Sequence, residues 1–191
     1  MQRLDCVSCK STLGQEATSG AIELYKYSIR PQFGMQATPC SMLGMIIAND
    51  LVRLSQAHAT RHFLLLSLDH EKNDKTVTPL HLWLFLEAFQ VAVNLPTSFD
   101  ICGLESANDK TSVSLSACKI MYRQGTLEDS ATNSSWSQPD LVEQLRYPLE
   151  VCRQIRQLLQ DSNLCYPPSR RQFAADWSVG FLQTTATIST F

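Results

Sequence analysis

Cys6-Val7-Ser8-Cys9 is the arrangement in this sequence whose spacing points most directly to chemistry. Two thiolates three residues apart can grip one metal ion, because the intervening turn brings both sulfurs to the same side. Zinc completes its tetrahedron with four ligands, so Cys6 and Cys9 make half a site. No second Cys-x-x-Cys occurs, and His58, His62, His70 and His81 join the pair only if the fold brings them close. Two ordinary cysteines near a terminus would look the same. A redox role is the weaker reading, because no βαβ pattern surrounds the pair.

The other cysteines are Cys40, Cys102, Cys118, Cys152 and Cys165, which makes seven, an odd number at scattered spacing. The start Met-Gln-Arg-Leu-Asp-Cys has no apolar signal core, so reduced thiols in the cytoplasm or nucleus are expected rather than a disulfide framework. A cysteine nucleophile needs a neighbouring base, a cation or a helix N-terminus to lower its pKa. Cys40 follows Pro39 in a first helical turn, yet a small buried thiol is the commoner state there. Cys152 reads as core. Cys165 lies in a loop near Arg170 and Arg171 and is the most reachable of the late cysteines.

Asp69-His70-Glu71 could be read as an acid/base or metal cluster, but charged turns between antiparallel strands are far more common. No phosphate-binding Gly-rich loop, His-Glu-x-x-His, Gly-x-Ser-x-Gly or dinucleotide fingerprint is present. With a formal net charge of −2 and no block of like charge, the chain lacks the broad basic face of a direct nucleic-acid binder.

The elements that must position these residues centre on 80–93, the most apolar stretch. Leu80, Leu82, Leu84 and Leu86 alternate with Trp83, Phe85 and, further on, Phe89, so both faces are apolar. That predicts a central strand covered on both sides, with a buried helix as the runner-up. His81, Glu87 and Gln90 interrupt it, and it falls short of the about 20 apolar residues of a membrane span.

Period-two alternation predicts a half-buried strand over 22–29. Thr38-Pro39 opens a helix running to about His58 or Thr60, with Met42, Leu43, Ile46, Ile47, Leu51 and Leu54 along one stripe. Residues 62–68 form a second apolar strand that makes a hairpin with the central one. Residues 94–112 read as a loop, 113–123 as a strand and 124–139 as the most flexible internal stretch. A second helix follows Pro148 with Leu149, Cys152, Ile155, Leu158 and Leu159 on one face, ending at 161–163 ahead of Pro167-Pro168. Phe173 and 177–182 give a last strand, and the Thr-rich end reads as loose. The fold class is α+β, a mostly antiparallel sheet with two main helices against it.

Four places carry a resemblance. They are Cys6-Val7-Ser8-Cys9 ahead of Gly14 and Leu24-Tyr25-Lys26-Tyr27; Leu82-Trp83-Leu84-Phe85; Cys118-Lys119-Ile120-Met121-Tyr122; and the ending from Leu149. That ending continues through Ser162-Asn163-Leu164 and Pro167-Pro168-Ser169-Arg170 to Phe173 and Trp177-Ser178-Val179-Gly180-Phe181-Leu182, and is the most specific of the four. Together they resemble the C-terminal half of the HECT-like ubiquitin-conjugating-enzyme-binding proteins.

The resemblance implies binding of a charged ubiquitin-conjugating enzyme and transfer of ubiquitin to protein substrates. It further implies a link to the nuclear machinery that cleaves and polyadenylates pre-mRNA. The alternative is a non-catalytic adaptor that stabilises a partner such as a pre-mRNA 3′-end processing nuclease. Family members are longer, with cysteines in an N-terminal half, so the chain is expected to be a truncated copy whose remaining zinc ligands lie upstream. Residues 1–20 then form a zinc-knuckle-like half site, 21–183 the HECT-like α+β domain and 184–191 a flexible tail.

Two departures stand out. Leu86-Glu87 replaces an Asn-Pro, which lets the central strand run on. Cys165 takes a position usually aliphatic, so no catalytic cysteine is assigned.

Overall fold

The protein is described from a computed structural model at residues 3–10, 12–16, 18–28, 42–68, 78–94, 112–125, 142–174 and 176–190. A small antiparallel sheet comes first: β1 (Arg3–Asp5), β2 (Thr12–Glu16) and β3 (Ile22–Leu24), in that spatial order. Helix α1 (Met42–His58) follows, then β4 (His62–Ser67), β5 (Leu80–Asn94), β6 (Ser112–Gln124) and β7 (Val142–Tyr147). Helix α2 (Leu149–Leu164), a 3-10 turn (Pro168–Arg170), β8 (Gln172–Phe173) and β9 (Trp177–Thr190) complete the described chain.

The main sheet has the order β7-β4-β5-β6-β9-β8. Every neighbouring pair is antiparallel except β4 and β7, which run parallel. Both helices pack on one face. There Leu80, Leu82 and Leu84 of β5 meet Phe63 and Leu65 of β4, and Ile120 of β6. Above them lie Ile47, Ala48 and Leu51 of α1 with Cys152, Ile155 and Leu159 of α2, all buried. Each such leucine or isoleucine contributes about 1.5–3 kcal/mol through removal from water. The α+β fold and the central position of β5 follow the alternation in the sequence.

β5 stays in register with β6 from Leu80↔Gln124 to Leu84↔Ile120, then shifts twice, reaching Leu86↔Lys119 and Phe89↔Ala117. Two extra residues are therefore absorbed at 85–88, where Leu86-Glu87 stands. Leu86 consequently leaves the face it was expected to share with Leu84 and is exposed. The strand continues to Asn94, as the absence of a proline permits.

Several expectations change. The predicted strand over 22–29 stops at Leu24; Ser28 N–H donates to Tyr25 O at 2.9 Å and closes a turn. Tyr25 and Tyr27 stack on each other, Tyr27 meets Tyr147 edge-on, and Lys26 pairs with Asp50, so this turn fastens the small sheet to α1 and β7. β1, β2 and β7 escaped notice because they are short or polar, and Phe173, read with the last strand, belongs to a separate short strand, β8. The second helix runs to Leu164 rather than stopping at 161–163.

The end of the chain, expected to be a loose tail over 184–191, instead continues β9, with Leu115↔Ile188 and Val113↔Thr190. Threonine is β-branched and fits a pleated surface, and β6 is long enough to pair with it. The helix start at Thr38-Pro39, the cluster at Asp69-His70-Glu71 and the flexible stretch from 126 to 139 lie outside the described residues.

Candidate functional site

The cysteine pair sits on the hairpin between β1 and β2. Lys10 N–H donates to Cys6 O at 2.9 Å, closing a turn through Val7-Ser8-Cys9. Lys10 has φ +60°, a left-handed conformation that glycine adopts with least strain. The turn is therefore tightly curled, as a two-thiol grip on a metal requires. Cys6 is half-buried, Cys9 exposed, and no disulfide joins them. Soft thiolates suit zinc, so the donor chemistry and the curl of the turn fit half a zinc site. Among the described residues no cluster of three or more Cys, His, Asp or Glu is placed to hold a metal. His58, His62 and His81 belong to α1 and the main sheet, and His58 pairs with Glu143 at 2.8 Å.

The other described cysteines are poor nucleophiles. Burial pushes the Cys118 thiol up to about 12, against the weaker downward pull of backbone hydrogen bonds. Cys152, also buried, is pushed up to about 11, and its Sγ lies 3.5 Å from Leu66 O and 3.6 Å from Tyr147 O. Cys165 is raised by burial and by Asp161, with Arg171 opposing. A thioester-forming cysteine works as thiolate, and these three favour the neutral thiol. Cys40 and Cys102 lie outside the described residues.

The sheet face turned away from the helices is unusual. His62 stacks on Trp83 (5.4 Å between centroids, 22°) and meets His81 edge-on at 5.4 Å. Trp177 closes over His81 at 5.0 Å, and Phe173 and Phe85 extend the cluster from Trp83. Arg123 lies 4.9 Å over Trp177 and Lys119 lies 5.4 Å over Phe85, both in cation–π geometry. Trp83 and Phe85, expected as core, are only half-buried, while Phe173 is exposed.

Burial, with Arg123 nearby, lowers the pKa of His62 below its ordinary value. Its Nδ1 is buried without a hydrogen-bond partner among the described residues. The folded state thus holds His62 neutral, whereas the unfolded chain takes up a proton near pH 6.5. Stability should be retained above about pH 6.5 and fall as the pH drops from there toward the lower folded value. Urea unfolding at pH 7.5 and 5.5 should show this loss, and His62→Phe should reduce it; an equal loss in the variant would refute the assignment.

Across residues 1–179 the sequence matches the family model described as HECT-like ubiquitin-conjugating enzyme (E2)-binding. The chain belongs to this family. Neither the curated proteins nor the solved structures yield a match. The HECT-like domain is thus an E2-binding domain of the ubiquitin pathway, with a ubiquitin-conjugating enzyme as its partner. No helix among its described residues is long and apolar enough to cross a membrane.

The motif at the end of the matched region has a structural reason. Ser162 Oγ accepts from Phe181 N–H and donates to Leu159 O, both at 2.9 Å. Asn163 Nδ2 donates to Arg171 O at 2.8 Å and to Val179 O at 2.7 Å. β8 covers only the first residues of β9. The last turn of α2 therefore takes over the hydrogen bonding that a longer neighbouring strand would supply.

Sequence reasoning found the cysteine pair but missed the histidine–tryptophan face. Its signal was present: His81, Trp83 and Phe85 are two residues apart and must share one face of a strand.

Proposed function

We propose that this HECT-like domain promotes ubiquitin transfer to substrate proteins by positioning a charged conjugating enzyme, without taking ubiquitin onto a cysteine of its own. Membership of the E2-binding family carries the reading, and the raised thiols of Cys118 and Cys152 support positioning over relay. In such a transfer a substrate lysine amine attacks the thioester carbonyl held on the conjugating enzyme. The C–S bond breaks, an isopeptide bond forms, and the enzyme's cysteine leaves as thiolate while the amine loses a proton to solvent.

The test is single-turnover discharge of ubiquitin from the charged conjugating enzyme onto free lysine. Added HECT-like domain should accelerate it at least tenfold and bind the enzyme, with no thiol-sensitive ubiquitin adduct on the domain. A thiol-sensitive adduct would replace positioning by relay, and neither binding nor acceleration would sink the proposal.

The same inert thiols favour a second reading, an adaptor that binds and stabilises a partner such as a pre-mRNA 3′-end processing nuclease. Affinity purification that recovers no stoichiometric partner would count against it. In either role Cys6 and Cys9 supply two of the four ligands of a structural zinc. Elemental analysis of the purified protein should find bound zinc, lost in Cys6→Ser. Retention of zinc in that variant would remove Cys6 from the site.

A further inference from the structure

At one end of the main sheet an open cleft of about 570 Å³ lies between α2, the end of β6 and the start of β9. It is lined by Leu80 and by polar side chains: Arg156 and Gln160 on α2, Tyr122 and Arg123 on β6, and Asp176 and Ser178 around the start of β9. We propose that this cleft binds an acidic peptide segment of a protein partner, with a carboxylate seated on Arg156. The inference does not depend on which enzyme the domain serves.

Arg156 is held ready for such a contact. One terminal nitrogen, Nη2, donates to Thr78 O at 2.8 Å and lies 3.4 Å from Thr78 Oγ1, which fixes the plane of the guanidinium. Both partners are neutral, and no carboxylate pairs with Arg156 among the described residues. The guanidinium therefore has no ion pair among the described residues while Thr78 holds it in place. A guanidinium fork with spare N–H groups matches a carboxylate in two parallel hydrogen bonds. Gln160, one helical turn along, can hydrogen-bond the peptide backbone beside it.

Asp176, which lines the same cleft beside the start of β9, decides the ligand class. A polyanion such as a nucleic-acid strand would bring its phosphates against this carboxylate, whereas a peptide can direct one acidic side chain at α2 and its neutral backbone at β9. The open, polar lining suits a solvated chain segment better than an enclosed small molecule.

The test titrates ¹⁵N-labelled protein with acetyl-(Gly-Glu)₃-amide, acetyl-(Gly-Gln)₃-amide and inorganic phosphate, following the Arg156 Nε–Hε and Gln160 side-chain resonances. The glutamate peptide should give saturating shifts at least tenfold tighter than the glutamine peptide, and Arg156→Gln should weaken it at least tenfold with core amide resonances unmoved. Asp176→Asn, which leaves Arg156 intact, should tighten the glutamate peptide by at least twofold. Equal binding of the two peptides, no effect of Arg156→Gln in a folded variant, or weaker binding in Asp176→Asn would overturn the proposal. Phosphate saturating as tightly as the glutamate peptide would also overturn it, by reducing the cleft to a simple anion site.

Discussion

Gly180→Val should destabilise the protein by about 2–6 kcal/mol, with urea unfolding as the measurement. A Cβ at this position would stand 2.9 Å from Ser162 Oγ, 3.1 Å from Leu159 O and 3.2 Å from Tyr122 Cε1. Little there can yield. Leu159 O is helix backbone, and Ser162 Oγ is committed to Leu159 O and Phe181 N–H. Helix α2 would have to lift from the sheet, loosening Cys152, Ile155 and Leu159 from the core. Overpacking costs about 1–3 kcal/mol, occasionally more, and stranding the buried Phe181 N–H adds about 1–3 kcal/mol. Gly180→Ala, with one carbon to place, should lose about 1–2 kcal/mol. If valine unfolds within about 0.5 kcal/mol of the parent, the range of ordinary surface changes, the close approach of α2 to β9 is wrong.

Asn163→Leu is expected to cost about 2–4 kcal/mol, because one amide nitrogen serves two carbonyls, Arg171 O and Val179 O. Leucine keeps the γ-branched shape and removes both donors. Asn163→Asp separates hydrogen bonding from shape: its carboxylate would face two carbonyl oxygens and should be at least as damaging as leucine. Tolerance of aspartate in a thermal melt would show that packing alone matters there. Amide exchange should accelerate first at Val179, whose N–H donates to Arg171 O at 2.9 Å and so shares the same anchoring.

Both variants fall in the stretch that gave the sequence its most specific resemblance, and the physical basis of that motif is now plain. Ser162, Asn163 and Gly180 are a set: small and hydrogen-bonding residues that let a helix finish a sheet. Their motif was legible in the sequence, but their purpose was not, because it depends on β8 being too short to reach Phe181. The long apolar elements, β4, β5 and the stripes of α1 and α2, were legible because burial imposes a period on them. β1 and β2 were not, since strands of three to five residues carry too few alternations to read, and β3 was read from its alternation but ends earlier than expected, at Leu24. β7 was hidden by Glu143, Gln144 and Arg146, which reflect its place at the sheet edge.

The candidate sites divide in the same way. Cys6 and Cys9 declare themselves by spacing, and the curl at Lys10 accords with it. The aromatic face and the Arg156 cleft are assembled from β4, β5, β6, β9 and α2, so local sequence could supply their members but not their meeting.

The strand order also sets a timetable for synthesis. β4, β5 and β6 emerge from the ribosome in sequence and can pair as a meander. The strands that flank them, β7 beside β4 and β9 beside β6, come later, as does α2, which covers their apolar face. At about 5–20 residues per second, the nascent chain carries the Leu80–Leu84 surface with two open sheet edges for several seconds. During that interval it is a template for pairing with other chains. The cellular yield of this protein should therefore depend on holdase chaperones more strongly than its folded stability alone would indicate.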